Sequence, residues 1–229
     1  MKKNMMKTAL IVSLLYSNSS FAQFKKLPIL IKGDFGSSNI NSTYGKGSSQ
    51  FCYGIGVETF VVVKQFTKER SLEINPNISL FHTSYGQSAA LLARSPLSGN
   101  VKVNYITLSL PITYNISGLR SANDNGILIG VGPYFNIATS GNFETLSNGV
   151  YYKRQINFGN STADNRKRND AGITVKMGFK VNPKLYMGLQ FNRGIQNTTP
   201  SARVVNGSFL KVNNTFFYAS YLINKNRKK

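Results

Sequence analysis

Between Gly172 and Asn197 the chain alternates apolar and polar residues at strict period two, over two consecutive runs. In the first, Ile173, Val175, Met177, Phe179 and Val181 take every second position, with Thr174, Lys176, Gly178 and Lys180 between them. In the second, Leu185, Met187, Leu189 and Phe191 alternate with Tyr186, Gly188, Gln190 and Asn192. A period of two belongs to strands, whose successive side chains point to opposite faces. Asn182-Pro183 is a turn, because Asn tolerates turn geometry and Pro fixes φ and stops the strand. Each run is about the ~9–11 residues a tilted strand needs to cross a bilayer. The pattern predicts a hairpin with one apolar face, and the rest of the chain must show where that face goes.

The N-terminus reads as an export signal. Lys2, Lys3 and Lys7 form a positive region, Thr8 to Tyr16 a short apolar one, and Ser20-Phe21-Ala22 a small-residue cleavage site. Cleavage is expected after Ala22, so residues 1–22 are a signal peptide and 23–229 the exported domain. The apolar stretch falls short of the ~20 residues of a membrane helix. Cys52 is the one cysteine, which rules out an internal disulfide. The net charge of +20, or +17 without the three signal lysines, favours anionic partners: nucleic acid, lipid headgroups or lipopolysaccharide phosphates. Export argues against nucleic acid, as does the lack of a helix-turn-helix, zinc-finger or RNP pattern.

The same alternation recurs along the chain. Strands are expected over Leu27 to Phe35, Phe51 to Val63, Leu72 to Ser84, Val101 to Tyr114, Gly126 to Ala138, the two runs of the hairpin, and Phe209 to Ile223. Gly36 to Gln50, Tyr85 to Asn100, Thr139 to Asn169 and Gln196 to Ser208 read as long loops. Lys64 to Ser71 and Asn115 to Asn125 read as turns. About eight antiparallel strands joined by alternating short and long connections are the signature of a transmembrane barrel with short periplasmic turns and long extracellular loops.

Alternation alone does not say which face is outside, since a soluble secreted barrel that binds ligands also alternates. Volume decides. The interior of an eight-stranded barrel is only just wide enough to be filled by side chains. Gly54, Gly56, Gly130, Gly132, Gly178 and Gly188 lie on the less apolar face and suit that crowded interior. The expected fold is therefore all-β, a closed antiparallel barrel with its apolar face in lipid, where every backbone group must be paired. Lys32, Asp34, Glu58, Glu73, Lys176 and Lys180 then point into the lumen, where they are candidates for a network of ion pairs.

With the strands placed, three segments resemble the outer-membrane β-barrel family of Bacteroidetes that includes the PorT-like proteins. They are Tyr105-Ile106-Thr107-Leu108-Ser109-Leu110-Pro111, Gly130-Val131-Gly132-Pro133-Tyr134, and the run from Asp170 through Gly178 to Arg193-Gly194-Ile195. The resemblance implies an eight-stranded barrel in the cell outer membrane and no single activity; one branch of the family is tied to protein secretion and gliding.

Candidate chemistry is sparse. His82, the single histidine, and Ser84 share the lipid-facing side near the outer rim. A His-x-Ser pair on an outer barrel face resembles lipid A deacylases, with His as base and Ser as nucleophile. That chemistry would need a carboxylate such as Glu144 and an oxyanion donor, and chance polar residues at a strand end are the simpler account. Lys153, Arg154, Arg166, Lys167 and Arg168, interleaved with Tyr151, Tyr152 and Phe158, form a candidate anion-binding loop. Cys52 reads as a small lumen-facing residue. One His and one Cys leave no usual metal-ligand set, and no cofactor is expected. The leading expectation is a monomeric, non-enzymatic outer-membrane barrel that meets membrane lipid, lipopolysaccharide and other envelope proteins through its outside loops. Alternatives are a secretion accessory, a lipid A hydrolase using His82 and Ser84, and a soluble secreted binder.

Overall fold

A computed structural model describes residues 27–42, 45–67, 69–87, 99–116, 126–147, 150–182, 184–201 and 209–223. The expected signal peptide lies outside the described residues. The strands are β1 (Ile29–Ser42), β2 (Gly45–Lys46), β3 (Gln50–Thr59), β4 (Val61–Thr67), β5 (Arg70–Ile74), β6 (Asn77–Gln87), β7 (Gly99–Ser109), β8 (Ile112–Ile116), β9 (Ile127–Ser147), β10 (Val150–Gln155), β11 (Asn169–Asn182), β12 (Leu185–Gly194) and β13 (Leu210–Leu222).

Eight staves form the wall, in the order β11-β12-β13-β1-β3-β6-β7-β9, and antiparallel pairing of β9 with β11 closes it. A walk around the ladder passes Leu30, Glu58, Asn77, Ser109, Tyr134, Gly172 and Gly194, then reaches β1 again at Ile40, ten residues further on. Such a stagger tilts the strands and fixes the radius. β4, β5 and β8 continue three staves past interruptions at Phe60, Asn75-Pro76 and Leu110-Pro111. Proline has no N–H to give, so those rungs keep one-sided bonds: Thr59 N–H to Pro76 O at 3.0 Å, Asn75 N–H to Pro111 O at 2.9 Å, and Leu110 N–H to Pro133 O at 3.0 Å.

The wall is apolar outside. Ile55 is 61 % exposed and Leu80 63 %, while the neighbouring lumen positions carry Lys, Glu, Asn, Ser, Thr and Gly. The expected barrel is therefore present, with the apolar face outward. One end carries the tight connections β4–β5 and β11–β12, the start of β1 and the end of β13 (the turn end). The other carries the long ones, from β1 to β3, β6 to β7, β9 to β11 and β12 to β13 (the loop end).

Several boundaries differ from the sequence reading, most of them for one reason. Toward the loop end the strands reverse their polarity. On β1, Ile29, Ile31 and Phe35 face out around buried Lys32 and Asp34; beyond them Ser37 and Asn39 face out around buried Ser38 and Ile40. On β7, Leu108 faces out and Thr107 in, then Asn104 faces out and Val103 and Val101 in. The outward residues stop being apolar where the wall meets water, yet the ladder continues, with Ser42 still opposite Leu210. The first strand thus runs to Ser42, correcting an end at Phe35 and a loop from Gly36. The loop expected from Thr139 is strand to Ser147, with a register shift that bulges Thr139 out opposite Asn104 and Tyr105. At the turn end, the turn expected over Lys64 to Ser71 is shorter, with Thr67 opposite Arg70.

Candidate functional site

Mid-lumen, four of the six expected charges form two ion pairs. Lys32 Nζ lies 2.8 Å from Asp34 and donates to Gln190 Oε1 at 2.7 Å. Lys176 Nζ donates to Glu58 Oε2 at 2.6 Å. Lys32 is 1 % exposed and Glu58 2 %. The Tyr218 ring serves both cations, 4.3 Å from Lys176 and 5.5 Å from Lys32. Its body fits because Gly178 and Gly188 face it, and a Cβ at Gly178 would collide with the Tyr218 hydroxyl. Two cations and two carboxylates make a neutral layer across the barrel, and each charge keeps the partner that burial demands. Glu73 is buried apart from these pairs, accepting from Ser71 Oγ at 2.6 Å and Asn115 Nδ2 at 3.3 Å. Lys180 is buried nearer the turn end.

Above this layer the lumen turns apolar. Ile40, Tyr85, Val101, Val103 and Val212 pack with Phe81 and Phe216, whose rings meet edge to face at 4.8 Å. Cys52 joins them, fully buried. The segment after β10 folds back into this mouth. Ile156 enters the apolar cluster, held by its N–H to Gly141 O at 2.9 Å, and Phe158 packs against it. Arg166, 5 % exposed, stacks 4.9 Å from the Tyr85 ring. Of the five basic residues expected to form an anion-binding loop, Arg166 is thus buried at the barrel mouth and not exposed to a ligand outside. Lys153 and Arg154 stand on the exposed β9–β10 hairpin, while Lys167 is half-buried and Arg168 exposed beside the mouth.

His82 and Ser84 lie on the outer wall where its polarity reverses. His82 stacks on Tyr53 with ring centroids 5.0 Å apart. Asn104 Nδ2 donates to Ser140 Oγ at 2.8 Å, which leaves its Oδ1 to accept from His82 Nδ1 at 2.7 Å. The Ser84 hydroxyl donates to Gln50 Oε1. His82 and Ser84 are thus each engaged by a different amide and not by one another. Glu144, the acid considered for orienting His82, instead takes Lys102 Nζ at 2.6 Å and Lys153 Nζ at 4.0 Å. It sits on a paired strand, correcting its placement in a loop. Around these groups a cleft of about 400 Å3 opens outward, lined by Gln50, Phe51, Tyr53, His82, Ser84 and Lys102.

Sequence reasoning missed Lys102, Gln50 and Tyr53 as site residues. The signal was there, in Lys102 and Asn104 alternating with Val101, Val103 and Tyr105 once the reversed phase is allowed. Among the described residues no three His, Cys, Asp or Glu side chains gather as metal ligands would.

No protein-family model and no curated protein matches the chain. Among solved structures it resembles Neisserial surface protein A at 9 % identity and a TM-score of 0.47, over 85 % of this chain and 97 % of that one. It resembles the outer membrane enzyme PagL at 9 % identity and 0.47, over 83 % and 99 %. It resembles OprG of Pseudomonas aeruginosa at 15 % and 0.45, over 87 % and 97 %. At such identities and TM-scores these likenesses say nothing of what this chain does.

Proposed function

We propose that this is an outer-membrane barrel, exported by a signal peptide cleaved after Ala22, that acts as an interaction protein at its loop end and conducts nothing. The observation that carries the reading is the filled lumen. The Lys32–Asp34 and Lys176–Glu58 layer, the aromatic cluster above it and the returning segment with Ile156 and Arg166 stand in series across one bore. Among the described residues, the β9–β10 hairpin stands outside the bore, with Tyr151, Tyr152, Lys153 and Arg154 exposed. Tyrosine supplies contact area at low entropic cost and arginine adds charge, as interfaces favour. The partners of this reading are outer-leaflet lipid and other envelope proteins, with the barrel itself monomeric. The test is ion conductance and solute-driven swelling of vesicles carrying the heat-modifiable barrel. The expected result is the behaviour of empty vesicles, and a steady conductance would make the protein a conduit instead.

A further inference from the structure

The cleft on the outer wall has the layout of a lipid site, and we propose that it docks a phosphate-bearing glycolipid of the surrounding leaflet. The proposal rests on the outer-membrane reading above. Three features at three levels carry it. Lowest are Ile55 and Leu80, cross-strand partners and among the most exposed aliphatic side chains of the wall, which offer a track for acyl chains. At the cleft itself the rings of Phe51, Tyr53 and His82 form a ladder, with centroids 5.9 Å and 5.0 Å apart and planes inclined by 30° and 29°, which gives a sugar ring an aromatic wall to pack against. Because His82 donates from Nδ1 to Asn104, its Nε2 is left to accept from a ligand hydroxyl. Highest are the ammonium groups of Lys102 and Lys153, drawn together by the single Glu144 carboxylate. Two cations to one anion leave a net positive charge, and the close contact at 2.6 Å restrains the Lys102 side chain.

The order from apolar to aromatic to cationic follows the axis of the wall and matches an amphiphile standing in a leaflet with its phosphate uppermost. A free phosphate would use only the upper part. A soluble sulfated glycan would leave Ile55 and Leu80 unused, so the lipid is the occupant these observations favour.

The experiment is native mass spectrometry of the detergent-solubilised barrel titrated with lipid A, its dephosphorylated form, or inorganic phosphate. Lys102→Ala/Lys153→Ala should weaken lipid A retention about tenfold, as expected for losing a charge-assisted hydrogen bond, and Tyr53→Ala should weaken it too. Lys102→Arg should retain it, and dephosphorylated lipid A should bind the wild type as weakly as lipid A binds the lysine variant. Heat-modifiable gel mobility of every variant confirms that the barrel has closed. Equal retention by wild type and both alanine variants would overturn the site. Full competition by millimolar inorganic phosphate would make it a soluble-anion site and overturn the lipid. Fractionation of the wild-type chain away from the membrane would instead sink the outer-membrane reading on which the proposal stands.

Discussion

The two halves of this barrel solve opposite packing problems with one set of strands. Toward the turn end, lipid covers the outside, so most apolar residues go out and the lumen takes ion pairs, amides and glycines with one small apolar cluster, Leu30, Phe60, Leu128 and Tyr186. Toward the loop end, water covers the outside, so Asn104 and Lys102 go out and Val101, Val103, Ile40 and Tyr85 go in. The loop end thus has a sizeable hydrophobic core, closed by Ile156 and Phe158, while the turn end holds only that smaller apolar cluster beside its ion pairs. The hydrophobic effect acts on whichever face would otherwise meet water, and here that face changes within a single strand.

The charged half should be the less forgiving. Lys176→Met leaves Glu58 buried without its cation, an expected loss of about 3–5 kcal/mol. Removing both partners, as Lys176→Met/Glu58→Leu, should recover most of it, because a buried pair exchanged for apolar residues is often near neutral. Urea titration in lipid vesicles, read by the heat-modifiable band, measures both. Equal losses in the single and double variants would mean that the layer is not held by pairing.

The apolar half should behave as an ordinary core. Ile40→Ala is expected to cost about 2–5 kcal/mol, with amide exchange quickening first in the loop-end part of β1 and its partner β13. Uniform quickening down to Lys32 would contradict the division into two halves.

The boundary itself can be placed by outward charges. Leu80→Arg puts a cation into lipid at an expected cost of about 2–4 kcal/mol. Asn39→Arg, on the outer face above the polarity reversal, should change stability by less than about 0.5 kcal/mol. Matching costs at the two positions would erase the boundary.

This boundary also explains what could be read from the sequence and what could not. The central hairpin Asn169–Asn182 and Leu185–Gly194 was legible because its outward residues, Ile173 to Phe191, face lipid throughout. The inward glycines were legible from the volume of the bore. The far end of β1 was not, because Ser37-Ser38-Asn39-Ile40 carries its single large apolar residue on the opposite face from Ile29 and Ile31, and a phase change resembles an end. The Lys32, Asp34, Glu58 and Lys176 cluster was legible as a set of inward positions, but the choice of partners depends on register between strands far apart in sequence. Arg166 was unreadable: nothing local distinguishes it from Lys167 and Arg168, and its burial comes from a segment returning to a mouth whose width the sequence does not state.

The smallest effect tests whether the hairpin is held to the rim or merely lies near it. The hydrogen bond from Lys102, with that of Tyr151 next, holds the Glu144 carboxyl below its ordinary value of 4.5. A lowered folded value means that this anchoring is fully present above pH 4.5 and is lost as the pH falls through the folded value. Lys102 is shifted upward, chiefly by the same hydrogen bond, so its share persists through neutral pH and fades only in strong alkali. Its side chain is 40 % exposed, so the pair is worth no more than about 0.2–1 kcal/mol, enough to bias a hairpin and too little to unfold a barrel. A nitroxide on Val150→Cys, with Cys52 buried out of reach, should therefore grow more mobile on acidification below pH 4.5 in the otherwise native chain. In a Glu144→Gln background it should already be mobile at neutral pH and stay so in acid. Identical mobility in both backgrounds across that range would leave the hairpin anchored by its β9 ladder alone, and the two lysines of the rim would then be independent charges.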